Sequence, residues 1–392
     1  MTDRVYYTDP YATEFDASVV RIESLDGKPA AVLDRTAFYP TSGGQPFDTG
    51  ALGDARVVDV IDRDDEVVHV LDRPIGEGPV KGRIDWDRRF EHMQQHTGQH
   101  VLSAAFDHLL KARTESFHLG SASATIDLSR EVSPKEIERA VDEANRIVWE
   151  DRPVAIRFMD ADEAAKLPLR KEPARGGRLR LIDVEGFDIS ACGGTHVART
   201  GGIGNIAVAG WEKFRGGTRV EFVCGVRALR AYRALRDSVA ATVRLISVLP
   251  GELPAAVERM QADAKDSKRR TKDLQLRLAA FEGHALSATA ETLGNDRVVL
   301  AALDGWDPNG LKTIASAIVE RPDHVAVLLG LPAPASIVVM RGSAASTDCS
   351  ALLRLLTERF GGKGGGRPDL AQGGGLQGNA DEILSAARAA LK

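Results

Sequence analysis

Residues 88–110 read RRFEHMQQHTGQHVLSAAFDHLL, a run of good helix formers with apolar residues at three and four spacing, which predicts a helix beginning near Asp87. His96 and His100 stand four apart on it, so both imidazoles project from one face and can converge on one metal ion. His92 stands four residues earlier on that face, as a further ligand or as a neighbour that holds one; spacing does not choose. A histidine pair of this kind is weak by itself, because most such pairs are solvated or hydrogen-bonded. Its complement is Cys192-Gly193-Gly194-Thr195-His196, a thiolate and an imidazole four apart across two glycines that allow a tight turn. One sulfur and three nitrogens make a tetrahedral set that zinc accepts. No Cys/His/Asn order recommends Cys192 as a nucleophile instead. Cys224 and Cys349 read as structural, and His69, in EVVHVL, reads as a strand residue facing solvent.

Working outward, residues 5–83 hold short β-rich runs (17–22, 29–33, 56–61, 67–71) separated by Gly, Asp and Pro clusters, which predicts a small antiparallel β-barrel within a domain over 1–87. Inside it, residues 36–50 (TAFYPTSGGQPFDTG) form a turn-dense loop rich in hydroxyl and amide groups, either a barrel hairpin or a contact for a polar ligand. After the His-bearing helix comes a strand at 124–128, then a helix opened by Ser133-Pro134-Lys135-Glu136 and running to about Glu150. Extended segments at 154–158, 179–184, 204–209 and 218–223 complete an α+β domain over 88–225. Ala228, Tyr232, Leu235, Val239, Thr242, Ile246 and Leu249 then follow a heptad seam that Pro250-Gly251 ends. With a charged helical stretch at 254–284 it makes, over 226–290, a hairpin, a dimerising arm, or two packed helices of an ordinary domain. Residues 295–392 alternate strands and helices as a separate α/β domain. The fold class expected is α+β, without internal repeats.

The chain has 392 residues, 43% hydrophobic and 27% charged, with a net charge of -5. Mean hydropathy is -0.18, and no apolar run approaches the roughly 18 residues a membrane span needs. Three cysteines exclude a disulfide framework. With no basic or apolar leader at MTDRVYYTDP, the expected location is the cytoplasm. The charge balance argues against a broadly basic nucleic-acid binder and leaves local basic patches open.

In that order, TAFYPTSGGQPFDTG, HTGQH and CGGTH resemble the free-standing alanyl-tRNA editing proteins (the AlaX family), which are similar to the editing domain of alanyl-tRNA synthetase. The resemblance covers roughly residues 1–250. The tail GGKGGGRPDLAQGGG, residues 361–375, resembles the signature of the synthetase C-terminal domain and extends the likeness over nearly the whole chain. No segment before the barrel resembles the aminoacylation core, so the chain is not expected to charge tRNA by itself.

The resemblance implies Zn2+ held by His96, His100, Cys192 and His196, which sets His92 aside. It implies substrate-facing positions at Thr36, Gln99 and His118, with Gly43, Gly44 and Gln45 in the same barrel loop. The synthetase carries Thr where Gln99 stands and Gln where His118 stands, so fine selectivity differs. Asp188, four before Cys192, is a candidate to orient a ligand histidine or an attacking water, or a turn-forming or salt-bridged residue. Asp188 and Gln99 are the expected catalytic positions.

The function so implied is trans-editing. A site built for alanine cannot exclude glycine by size and excludes serine poorly, so errors call for a second, hydrolytic site. The expected substrate is tRNA(Ala) mischarged with serine or glycine, Thr36 being the expected reader of a serine hydroxyl. Two rivals are a tRNA-binding scaffold with a structural zinc and a generic zinc esterase or amidase. An intact substrate loop argues against the first, and a tail suited to nucleic acid argues against the second. In that tail Lys363 and Arg367, with glycine N–H groups unshielded by side chains, suit phosphate contact on a flexible loop, unless the glycines merely make a linker. A homodimer through the helical hairpin or the C-terminal domain is the other expected association.

Overall fold

The computed structural model describes residues 1–170 and 177–392. They form two compact units, Met1–Thr242 and Val243–Lys392.

In the first unit, strands Glu14–Leu25 (β1), Lys28–Leu33 (β2), Gly50–Leu52 (β3), Ala55–Arg63 (β4), Glu66–Leu71 (β5) and Gly78–Ile84 (β6) close a barrel in the order β1-β2-β5-β4-β3-β6. Alternation fills its interior: Val57, Val60, Val67, Leu33, Leu52 and Ile84 form one core with Phe15 and Phe38. The barrel thus has its expected place in the chain. His69 corrects its expectation, being wholly buried. Its Nδ1 lies 3.2 Å from the Ala31 carbonyl, which only accepts, so Nδ1 carries the proton and Nε2 accepts from the Thr36 hydroxyl at 2.8 Å. The strand turns this position inward, and the two bonds make the burial tolerable.

Helix α1, Trp86–Leu110, follows directly. Apolar spacing suggests a helix with one buried stripe, yet every residue from 92 to 106 is buried. Most of the polar ones have internal partners: Gln95 donates to the Cys224 carbonyl at 3.0 Å and accepts its N–H at 2.8 Å, and Gln94 donates to the Gly202 carbonyl, while His92 Nδ1 and Gln99 Oε1 have none among the described residues. Around α1 lie Thr114–Leu119 (β7), Ala124–Leu128 (β8), Pro134–Trp149 (α2), Val154–Asp160 (β9), Arg178–Val184 (β10), Asp188–Ala191 (β11), Ile206–Phe214 (β12) and Gly217–Cys224 (β13). They make the sheets β12-β13-β8-β7 and β9-β10-β11. Helix α2 opens with the anticipated capping box between Ser133 and Glu136.

Barrel and α1 are joined by an ion pair with both side chains at 0% exposure, Arg89 with Asp48. Arg89 Nε donates to Asp48 Oδ2 at 3.0 Å, Nη1 to the Pro10 carbonyl at 2.7 Å and Nη2 to the Ala37 carbonyl at 2.5 Å, while Asp48 also accepts the Tyr39 N–H at 2.7 Å. Nothing in the sequence reading singled out either residue.

Helix α3, Gly225–Ile246, and helix α4, Leu253–Ser287, lead onward. In the second unit Glu291–Leu293 (β14), Asp296–Asp304 (β15), Pro308–Ile318 (α5), His324–Leu331 (β16), Ala335–Arg341 (β17), Cys349–Phe360 (α6), Lys363–Arg367 (β18), Leu370–Leu376 (β19) and Ala380–Ala390 (α7) follow. The sheet order is β14-β15-β16-β17-β19-β18. Ala326 and Leu328 face α5 and the end of α4, while Val325, Val327 and Val339 face α6 and α7. The glycine tail, expected as a flexible loop, is instead the hairpin β18–β19. A Cβ on Gly364 or Gly366 would come within 2.7 or 2.2 Å of a carbonyl on β19, so here glycine serves a close antiparallel approach and not mobility. Among the described residues no single helix is long and apolar enough to cross a membrane.

Arg89→Met or Asp48→Ala alone should each lower stability by about 3–5 kcal/mol, the cost of stranding a buried charge. An apolar double replacement should cost far less than the sum; equilibrium unfolding in urea measures all three. Burial holds the His69 imidazole down to about 4, so as pH falls below its ordinary value the unfolded chain takes up a proton that the native state refuses. At pH 4 this should remove about 3 kcal/mol of native stability. His69→Gln should flatten the stability profile between pH 4 and 6.5 by that amount.

Candidate metal centre

His96 and His100 project from α1, and Cys192 and His196 lie just beyond β11, bringing four donor atoms within 4.8 Å of one another. Cys192 Sγ lies 3.3 Å from His96 Nε2 and 3.4 Å from His196 Nε2. Bonds of about 2.3 Å to sulfur and about 2.0 Å to nitrogen at tetrahedral angles give an edge of roughly 3.5 Å, so the donors already stand near tetrahedral spacing. A single thiol proton can serve one imidazole and not three, whereas one cation serves all. His92 lies outside the cluster; burial first, then the Arg88, Arg227 and Arg89 charges, hold it down to about 3 and therefore neutral.

Each ring is aimed by a bond at its far nitrogen. Gln45 Oε1 accepts the Thr195 N–H at 3.1 Å, which fixes it as the oxygen, so His96 Nδ1, 2.8 Å away, must donate to it and Nε2 keeps its lone pair. Gln45 Nε2 donates to Thr195 Oγ1 at 2.9 Å. His100 Nδ1 meets Asp188 Oδ2 at 3.2 Å, an acceptor only, which leaves its Nε2 free to bind. His196 Nδ1 meets Thr97 Oγ1 at 3.2 Å, an oxygen that also accepts the Val197 N–H. The tautomers of His96 and His100 thereby offer Nε2, while the Thr97 hydroxyl, able to donate or accept, holds the His196 ring in place.

Asp188 combines two of its expected roles, orienting His100 and pairing with Arg170 at 2.8 Å, with Ser190 Oγ donating at 3.0 Å. Burial opposes its charge, but the His100 bond and the Arg170 guanidinium prevail and hold its carboxyl well below the usual range. Burial likewise pushes the Cys192 thiol up, and the facing His96 and His196 prevail, holding it well below its ordinary value. Arg180 grips Cys192 from both sides: Nη1 donates to the Cys192 carbonyl at 2.6 Å, and the Cys192 N–H donates to the Arg180 carbonyl.

The CGGTH glycines do something other than turn the chain, since neither has a positive φ. A Cβ on Gly194 would lie 2.1 Å from His96 Cε1, so the ring needs that space. Gly43 and Gly44 do have positive φ and aim Gln45 inward; a Cβ on Gly44 would meet the Phe117 ring at 2.9 Å.

Two expected substrate-facing residues are placed elsewhere. Thr36 is completely buried, accepting the Phe38 N–H at 3.1 Å and donating to His69, so its hydroxyl is engaged inside the barrel. His118 is exposed, on the opposite face of β7 from Phe117, whose ring centre lies 5.9 Å from that of His96. Gln99 does lie beside the cluster, buried, its Nε2 donating to Ser103 Oγ at 2.8 Å and its Oε1 without a partner. Lys363 and Arg367 are exposed on β18, Arg367 paired with Asp369 at 3.2 Å. Thr97 and Thr195 were missed, although both sit inside the motifs that revealed the ligands, each next to a ligand histidine.

The DHHA1 domain family matches residues 295–392, and the family described as threonyl and alanyl tRNA synthetase second additional domain matches residues 179–221, which carry Cys192 and His196. Alanine–tRNA ligase of Pyrococcus abyssi is 32% identical over 390 residues, covering 95% of this chain and 42% of that protein. The ligase of Natronomonas pharaonis is 35% identical over 415 residues, covering 100% of this chain and 44% of that protein. The chain thus spans less than half the length of these ligases. Alanyl-tRNA editing protein AlaX-L of Pyrococcus horikoshii is 31% identical over 408 residues, covering 100% of this chain and 99% of that protein. A match that runs the length of both chains, together with both domain families, means that this chain belongs to the alanyl-tRNA editing protein family.

Proposed function

We propose that this chain is a trans-editing hydrolase that cleaves the ester between serine or glycine and the terminal ribose of tRNA(Ala), with Zn2+ held by His96, His100, Cys192 and His196. The observation that carries the reading is the cluster itself: one cysteine sulfur and three imidazoles whose donor atoms lie within 4.8 Å of one another, in a member of an alanyl-tRNA editing family. When bound, zinc supplies a Lewis acid for the ester carbonyl or a lowered pKa for attacking water.

The protein's own part is orientation and reading. Gln45, Asp188 and Thr97 hold the three rings so that no reorganisation is needed at the moment of reaction. Gln99 takes the role first expected of Thr36. A buried acceptor without a partner costs stability, and Gln99 Oε1 recovers that cost when a donor arrives, such as a serine hydroxyl that alanine lacks. Lys363 and Arg367 are offered to tRNA phosphates. A second copy of the chain would cover exposed apolar residues on α3 and α4, among them Leu235 and Phe281 at 65% and 73% exposure. The competing reading, a tRNA scaffold with a structural metal, draws support from the full set of four protein ligands, which is the composition of a closed site. Hydrolysis of seryl-tRNA(Ala), assayed against free serine esters, decides between them: release of serine from the tRNA alone supports editing, and none from either supports the scaffold.

The purified protein should carry about one zinc per chain, and Cys192→Ala or His100→Ala should lose it by elemental analysis; full occupancy in both variants would refute the ligand set. Gln99→Met should keep zinc and slow deacylation of seryl-tRNA(Ala) about 10- to 100-fold, the worth of one buried polar contact. An unchanged rate with zinc in place would remove Gln99 as the reader.

A further inference from the structure

Helix α4 carries two different kinds of cation. On one flank Arg269 and Arg270 pair with Asp266 at 3.0 and 2.7 Å, and Arg277 pairs with Asp273 at 3.2 Å. Each of those arginines has a carboxylate partner, Asp266 serving two of them. Lys265, Lys268 and Lys272 are exposed, and none has an acid within salt-bridge distance among the described residues. At about 100° per residue they share an arc of about 60° with each other, and Arg269 borders it. The acids Asp263, Asp266 and Asp273 stand off that arc; the next acid on it is Glu258, two turns before Lys265.

The same face has a second use further along. Ala279 and Gly283 lie on it and are buried in the second unit; a Cβ on Gly283 would come 2.6 Å from the Ile314 carbonyl of α5. The helix therefore leaves the domain with its lysine face turned toward the domain's own side. Where it leaves there is a concave corner of about 300 Å³ lined by Lys272, Gln275, Leu276, Trp306, Asn309 and Asp307, whose carboxylate is engaged in capping α5 by accepting the Gly310 N–H. The Trp306 ring lies over the first turn of α5, where only glycine fits beneath it: a Cβ on Gly310 would stand 2.5 Å from Trp306 Cε3. An aromatic ring at the end of a lysine row suits an unstacked base next to phosphates.

We infer that the Lys265–Lys268–Lys272 face of α4 is a track for an RNA backbone and that the Trp306 corner receives a base at its end. This rests on tRNA being the partner proposed above; it adds a contact surface separate from the β18–β19 hairpin. The three lysines span about 10 Å at about 1.5 Å per residue, which passes about three phosphates of one duplex strand. The far side of α4 exposes Met260, Leu274 and Leu278 beside the paired arginines, so the lysine face is the one whose cations lack a partner among the described residues.

The test is the salt dependence of uncharged tRNA(Ala) transcript binding to the full-length protein, read by fluorescence anisotropy over a KCl series. K265Q/K268Q/K272Q should make the slope of log K against log[KCl] shallower by about two to three, with at least a tenfold loss of affinity at low salt. K265R/K268R/K272R should keep both. R270Q/R277Q, on the flank where each arginine is paired with a carboxylate, should leave the slope unchanged. W306L should weaken binding about tenfold with the slope intact, because stacking releases no counterions. All these side chains but Trp306 are exposed, and circular dichroism checks that each variant is folded. An unchanged slope in the triple glutamine variant, or an equal change in R270Q/R277Q, overturns the inference, and normal deacylation of seryl-tRNA alongside that result would show that editing itself stands. Lysine-dependent tRNA binding without deacylation would leave this surface in place and defeat the editing reading.

Discussion

The buried ion pair between Arg89 and Asp48 is the constraint on which the first unit turns. Arg89 stands two turns before His96 on α1, and Asp48 closes the barrel loop that also carries Gln45. One guanidinium therefore sets the distance between a helix and a loop that were far apart in the sequence. With Asp48 fixed to α1, Gln45 has little freedom left, and its amide falls between His96 and Thr195. The desolvation of two charges is offset because every guanidinium nitrogen and both carboxylate oxygens are engaged.

From there the order propagates by hydrogen-bond logic. A backbone N–H cannot become an acceptor and a carboxylate cannot become a donor, so Thr195 and Asp188 dictate the tautomers of His96 and His100. The outer residues do more than steady the rings. They decide which nitrogen keeps a lone pair, and with it whether the cluster can ligate at all. The His/Cys cluster is a meeting of three segments, each supplying a donor side chain or its holder and the constraint on another.

Much of this could be read in the sequence, for identifiable reasons. Ligands on one helix face, or four apart in one tight segment, announce themselves by local spacing, as His96 with His100 and Cys192 with His196 do. Capping at Ser133 is equally local. What stayed hidden depends on long-range contact. Gln45 meets Thr195 across 150 positions, and no periodicity encodes that. His69 looked solvent-facing because alternation gives two faces without saying which is inside. Thr36 was assigned a ligand-facing role through resemblance, and its bond to the buried His69 could not be read from the sequence. The glycine tail was misread because β-propensity penalises glycine, while two backbones in close contact require it.

Helix α1 is buried along its middle turns, with polar side chains that find partners in the barrel, in the segment from β11 to Gly202 and at the end of β13. Such a helix has no stable existence apart from its surroundings, and neither wall can open without exposing it. The barrel and the α+β layer look separable on paper and should nevertheless melt as one cooperative block. Recombination between relatives is then confined: a crossover inside the first unit would pair a helix with foreign walls, whereas the segment after Thr242 begins another compact body and tolerates a junction. The gene can exchange its second unit more freely than it can divide its first.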